Sequence, residues 1–301
     1  MTQTFREKWL EAVERKNSVV CLGLDPAEYD MQRGDEGLPE GVDKFTWSLA
    51  YIKAGAPHAA AIKLNLQFWK DRFGMNSSYE LTTIAHENGL VVIDDSKLAD
   101  IGSTNDAGIY HSKRKQMDAV TLACFAGNMK EAAEQCRNRG IGGIHMCLMS
   151  NSDYAREKNK LVPIGDDLLD YKSEDKIGID NQRTEERDFY VKQYIQLAHD
   201  ANAFGLEGVV IGAPSKKNHI TEQELAKARH YVGPEMLGLV PGVGAQGGEA
   251  DAIWKYFAKD HLIVNVGRAM MFPNGSNSTP EQQAAAAKQY QEMLNSLRAA
   301  A

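Results

Sequence analysis

The run Asp94-Asp95-Ser96-Lys97-Leu98-Ala99-Asp100 puts three carboxylates and an ammonium into seven residues. Asp95 and Lys97 stand two apart, so on an extended chain both side chains leave by the same face. An acid and a lysine held together this way suit preorganised electrostatics and general-acid chemistry. Asp100 follows within one further turn. Lys63 and Asn65 repeat the two-residue spacing, and Gly23-Leu24-Asp25-Pro26 puts another acid at the end of an apolar run. A solvated ion pair is the competing reading for any single pair, since exposed pairs are common and contribute little. Several charged groups at successive strand ends favour an active site over that reading.

A second constellation suits an anion. Pro241-Gly242-Val243-Gly244-Ala245-Gln246-Gly247-Gly248 follows an apolar run and leads into a helical pattern. Glycines let a backbone approach a ligand closely, and a helix N-terminus offers free N–H groups to negative charge. Val266-Gly267-Arg268 ends the next apolar run, and a guanidinium there could grip a phosphate in bidentate fashion. The plainer alternative is a glycine-rich turn with a surface arginine.

The elements that must position these groups are eight short runs rich in branched residues: Val19–Leu24, Ala59–Leu66, Leu90–Ile93, Ala119–Cys124, Gly143–Met149, Gly208–Ile211, Met236–Val240 and Leu262–Val266. Most are continuously apolar, as parallel strands covered by helices should be. Helical patterns lie between them, among them Met129–Arg139, Glu186–Ala203, Thr221–Tyr231 and Glu249–Ala258. Thr4 with Glu7, and Thr279-Pro280 with Gln282, read as capped helix starts. Eightfold alternation predicts an α/β fold, a single-domain (β/α)8 TIM barrel over residues 1–301, rather than an open doubly wound sheet. No G-x-G-x-x-G turn follows the first run, which weakens a dinucleotide reading. Two polar segments interrupt the pattern, Glu28–Val42 and Ser150–Gln182, and the second is expected to be a lid or an insertion.

With 301 residues and 43% apolar composition, the chain can bury a core that needs neither disulfide nor structural metal. A net charge of −7 and the lack of any basic tract disfavour a nucleic-acid partner. No window approaches the roughly 18 apolar residues of a membrane span, and the first residues lack a signal core. Cys21, Cys124, Cys136 and Cys147 show no metal or disulfide spacing, so inert buried thiols and a cytoplasmic, reducing location are expected.

These residues, in this order, resemble the orotidine 5′-phosphate decarboxylase family over nearly the whole chain. Asp95-Ser96-Lys97-Leu98-Ala99-Asp100-Ile101-Gly102-Ser103-Thr104 is similar to its D-x-K-x-x-D-I-G-S-T signature, and the length suggests the bacterial branch with larger chains. The resemblance implies roles residue by residue. Asp25 would bond a ribose hydroxyl, and Lys63 would contact the ribose and the charged network; Asn65, two residues from Lys63, is by its spacing a further substrate-binding candidate. Asp95 would face the substrate carboxylate and Lys97 would deliver the proton. Asp100 and Thr104 would reach into a neighbouring subunit's site, implying a homodimer with shared active sites. Ser150 would read the pyrimidine amide, while Gln246, Gly267 and Arg268 would hold the phosphate. No cofactor and no metal are implied, because the alternating row Lys63–Asp95–Lys97–Asp100 would supply the electrostatics and keep Lys97 protonated.

The sequence departs from the pattern in two places. Leu98-Ala99 replaces the more usual pair between the lysine and second aspartate. Asp94 adds an acid that strand alternation aims away from the lumen, where it would need a partner. Two other readings stay open. Magnesium-dependent relatives on the same barrel, such as keto-gulonate phosphate decarboxylase or hexulose phosphate synthase, would need a further acidic ligand where this chain has Lys63 and Asn65. A non-catalytic nucleotide-binding barrel would have no use for four crowded charges.

Overall fold

In the computed structural model of the chain, residues 3–70, 74–180, 187–242 and 250–300 are described. The strands, in chain order, are β1 (Val20–Leu24), β2 (Ala61–Leu64), β3 (Val91–Leu98), β4 (Ala119–Leu122), β5 (Gly142–Leu148) and β6 (Leu161–Pro163). They continue with β7 (Ile177–Asp180), β8 (Arg187–Lys192), β9 (Gly208–Ile211), β10 (Leu237–Pro241) and β11 (Leu262–Val266). Eight of them close a parallel barrel in the order β1-β2-β3-β4-β5-β9-β10-β11. All eight apolar runs of the sequence lie in it, with ends shifted by at most a few residues except at β3.

The helices are α1 (Phe5–Lys16), α2 (Lys44–Gly55), α3 (Gly74–Glu87), α4 (Gly102–Arg114), α5 (Met129–Arg139) and the short α6 (Tyr154–Glu157). After them come α7 (Gln193–Ala203), α8 (Glu222–Val232), α9 (Ala250–Trp254), α10 (Arg268–Met271) and α11 (Pro280–Ala300). The Thr4/Glu7 capping box starts α1 and buries Phe5, Trp9 and Val13 beneath it. Gln282 and Thr279 exchange the equivalent bonds at the start of α11. The α1 helix lies across the N-terminal ends of the strands. The Trp9 indole donates to the Asp260 carbonyl at 2.7 Å, the Arg6 N–H to Glu207 and the Lys8 ammonium to Asp118, all just ahead of β11, β9 and β4. That end is closed, which leaves the C-terminal ends of the strands for chemistry.

Strand alternation sets what faces the lumen. Leu22 packs against Gly55 of α2, so its neighbours Cys21 and Gly23 turn inward. Register then puts Gly23, Lys63 and Ile93 at one level. All four cysteines are buried and free, and burial pushes each thiol up to about 12, so they are inert as expected.

Three expectations need correction. β3 does not stop at Ile93 but runs on through the charged motif to Leu98. Glu186–Ala203 is not one helix: β8 occupies Arg187–Lys192, and α7 begins only at Gln193. Phe189, Tyr190 and Val191 are strand formers, and Val191 buries against the body of the protein while pairing with Val162. The segment after β5 is likewise more than a loop. It folds into an antiparallel sheet of order β6-β8-β7 outside the barrel.

Candidate active site

Lys63 on β2 and Lys97 on β3 donate to opposite oxygens of the same carboxylate, Asp95. The Lys63 ammonium bonds Oδ2, and Lys97 bonds Oδ1 at 2.6 Å. Burial works against ionising Asp95, but the two ammonium groups outweigh it and pull its pKa down to about 2. Burial also opposes charge on Lys63, yet the carboxylates of Asp95 and Asp25 prevail and hold it above the ordinary lysine value. The two lysines differ in access. The Lys97 side chain is 44% exposed and that of Lys63 only 7%. One is open to a ligand at the mouth and the other is anchored in the wall.

Lys97 does not reach Asp95 by plain alternation. From Asp94 to Leu98 the β3 chain advances four positions while β4 advances two, Val120 to Leu122, so β3 bulges there. Lys97 sits in the bulge with φ of 50°, the left-handed region that side chains rarely adopt. Its N–H donates to Thr121 Oγ1 at 2.9 Å, and that hydroxyl donates to Asp95 Oδ1 at 3.1 Å. Asp94 points the other way, as alternation requires, and is fully buried against α4. It accepts from the hydroxyls of Ser112, at 2.5 Å, and Ser96. Burial raises its pKa, with the two serines pulling against it.

The remaining candidates are placed unevenly. Asp25, just past β1, has a buried Oδ1 with no partner among the described residues. Asn65 follows β2, but its Oδ1 accepts from the Gln67 N–H at 3.2 Å and caps the turn Leu66–Trp69. Ser150 follows β5 and lies against Gly212 past the end of β9. Asp100 and Thr104 are exposed and do not join the row within this chain. Asp100 Oδ1 instead accepts from the Ile101 N–H at 2.8 Å.

At the closure of the barrel, a Cβ on Gly23 would stand 2.8 Å from Gly267 Cα, so β1 and β11 meet backbone to backbone. Gly267 leads into α10, whose first residue, Arg268, donates to Glu36 at 2.5 Å. Gln246 and the rest of 243–249 lie outside the described residues.

The sequence reading missed three groups: Thr121, Glu36 and Asn265. Asn265 is buried on β11 beside Gly23, and its Oδ1 has no partner among the described residues. A polar residue inside an apolar strand was the available signal for Thr121 and Asn265. Nothing local marks Glu36.

A family profile described as orotidine 5′-phosphate decarboxylase / HUMPS matches residues 18–284. A Halobacterium salinarum protein named orotidine 5′-phosphate decarboxylase is 31% identical over 301 positions, spanning 97% of this chain and 98% of its own. One from Azoarcus sp. strain BH72 with the same name is 28% identical, spanning 95% and 97%. The fold is similar to that of Leishmania donovani OMP decarboxylase, with a TM-score of 0.71 at 22% identity over 99% of this chain and 100% of that one. The barrel, the Lys63–Asp95–Lys97 row and these full-length matches agree: the chain belongs to the orotidine 5′-phosphate decarboxylase / HUMPS family.

Proposed function

We propose that this chain is the carboxy-lyase that converts orotidine 5′-phosphate to uridine 5′-phosphate in pyrimidine nucleotide synthesis. The observation that carries the reading is the Asp95 carboxylate clamped between a buried Lys63 and an accessible Lys97. An acid pulled down to about 2 is ionised at neutral pH and cannot give a proton. Lys97, open to the mouth, is the donor. The substrate carboxylate leaves as carbon dioxide, its electron pair stays on the ring carbon, and a Lys97 N–H protonates that carbon. The ammonium stabilises the developing charge before transferring the proton, and the fixed Lys63–Asp95 pair spares the site reorganisation.

Gly267, Arg268 and Gln246 are assigned to the phosphate, Asp25 and Lys63 to the ribose, and Ser150 to the base, with Asn65 a further substrate-binding candidate. Phosphate binding far from the reacting carbon can contribute to holding the closed state. Exposed Asp100 and Thr104, beside an Ile101 that is 57% exposed, fit a second copy of the chain completing each site. Four free buried thiols fit the reducing cytoplasm, and no described helix is long and apolar enough to cross a membrane. No cofactor is assigned a role. Where a metal-dependent relative would need an acid, β2 offers Lys63, already committed to Asp95.

The test is the ultraviolet absorbance change of orotidine 5′-phosphate with purified, EDTA-treated protein. Turnover supports the reading, activity abolished by EDTA points to the metal-dependent relatives, and product binding without turnover points to a binding module. For the shared site, mixing and re-equilibrating inactive Lys97→Ala and Asp100→Ala chains should restore up to about a quarter of wild-type activity through hybrid dimers. No recovery would place each site within one chain.

A further inference from the structure

We propose that Thr121 is a positioning residue for the proton donor: its hydroxyl holds the Lys97 backbone in the left-handed conformation that aims the ammonium at Asp95. The bulge in β3 removes the ladder partner that Lys97 N–H would otherwise have on β4. A backbone N–H at the wall of a barrel must be satisfied somewhere, and here the partner is Thr121 Oγ1 at 2.9 Å. Regular pairing resumes at once, with the Ala123 N–H donating to the Leu98 carbonyl at 2.7 Å. The departure is therefore confined to the motif.

Threonine suits the position because a hydroxyl both accepts and donates. It takes the Lys97 N–H and gives its own hydrogen to Asp95 Oδ1, the oxygen that also accepts from Lys97 Nζ. One buried side chain thus ties the backbone of the donor to the carboxylate that orients its head. Without that hydroxyl, Lys97 has no reason to stay at φ 50°, and relaxation to an extended conformation would swing the side chain off the row.

The inference rests on Lys97 being the proton donor, so Lys97→Ala is measured alongside. Thr121→Val keeps the shape and removes the hydroxyl. We expect kcat to fall about 10- to 100-fold, the scale of a lost charge-assisted hydrogen bond. KM should stay within about threefold, because binding groups elsewhere are untouched. Thr121→Ser should restore most of kcat. Thr121→Ala, which adds no bulk to misfit, should show the same loss as valine. Wild-type kcat in either hydroxyl-less variant overturns the proposal, as does a serine variant as slow as valine. If Lys97→Ala itself retains turnover, the donor assignment fails. An inactive Lys97→Ala beside a normal Thr121→Ala overturns the role of Thr121 alone.

Discussion

Asp94 and Asp95 are consecutive carboxylates that face opposite sides of β3 and are shifted in opposite directions from the ordinary carboxylate pKa. Asp95 looks into the lumen and is held down to about 2 by two ammonium groups, whereas Asp94 looks into the helix layer and is raised by burial. Replacement should separate their roles. Asp95→Asn leaves Lys63 and Lys97 facing a neutral amide, and kcat should fall by about 100-fold or more, the scale of a lost preorganised group. Asp94→Asn should cost about 1–3 kcal/mol of stability through Ser112 and Ser96 while turnover persists. Urea unfolding with a turnover assay checks both. Equal loss of activity in the two variants would contradict the division.

Lys97 and Arg268 are expected to fail in different ways. Lys97→Ala should abolish turnover while uridine 5′-phosphate still binds, since that side chain is not part of the phosphate site. Arg268→Ala should weaken nucleotide binding by about 10- to 100-fold, as expected for a charge-assisted bond. Isothermal titration with product distinguishes them. Unchanged affinity in Arg268→Ala would remove it from the phosphate site.

His145 predicts an acid limit on stability. It is fully buried on β5, its Nε2 accepts from the Cys124 N–H at 2.9 Å, and burial pulls its pKa down to about 3. An unfolded histidine titrates near about 6.5, so between the two values the unfolded chain binds the extra proton. Stability from this group is therefore present above about pH 6.5 and lost as pH falls towards 3, by at most about 1.4 kcal/mol per pH unit. His145→Gln keeps an acceptor without the titration. Its denaturation midpoint should depend less on pH between about 7 and 5 than that of the wild type. An identical slope would assign the loss to other groups.

Gly23→Ala tests the closure of the barrel. The added methyl meets the Gly267 backbone at 2.8 Å, with no flexible side chain to move aside. A loss of about 1–3 kcal/mol is expected from overpacking. Because Arg268 follows directly, nucleotide affinity should fall with it. A variant as stable and as tight-binding as wild type would show that β1 and β11 can separate freely.

The barrel was legible because parallel strands covered by helices must be apolar, and eight such runs are plain in the sequence. The Asp95/Lys97 pairing was legible from spacing, although for an incomplete reason: alternation explains Asp94 against Asp95, but a bulge and a left-handed lysine complete the contact. Thr121 stood out only as a polar residue in an apolar run, and its role was not legible, since its partner N–H becomes needy only once the ladder breaks. β8 was misread because its polar flanks imitate a helix start, and pairing with β6 and β7 is non-local. Glu36 meets Arg268 across 232 positions of chain, beyond any local pattern.

The small sheet outside the barrel enters and leaves at a single point: the Gln193 N–H donates to the Lys160 carbonyl at 2.8 Å, and Leu161 pairs with Lys192. A segment whose two ends are clasped together transmits little of its own length to the rest of the molecule. Residues can be gained or lost at its far tip without shifting the register of any barrel strand, so evolution can edit this appendage as a cassette. The same clasp is where a designer could graft a different segment and leave the charged row untouched.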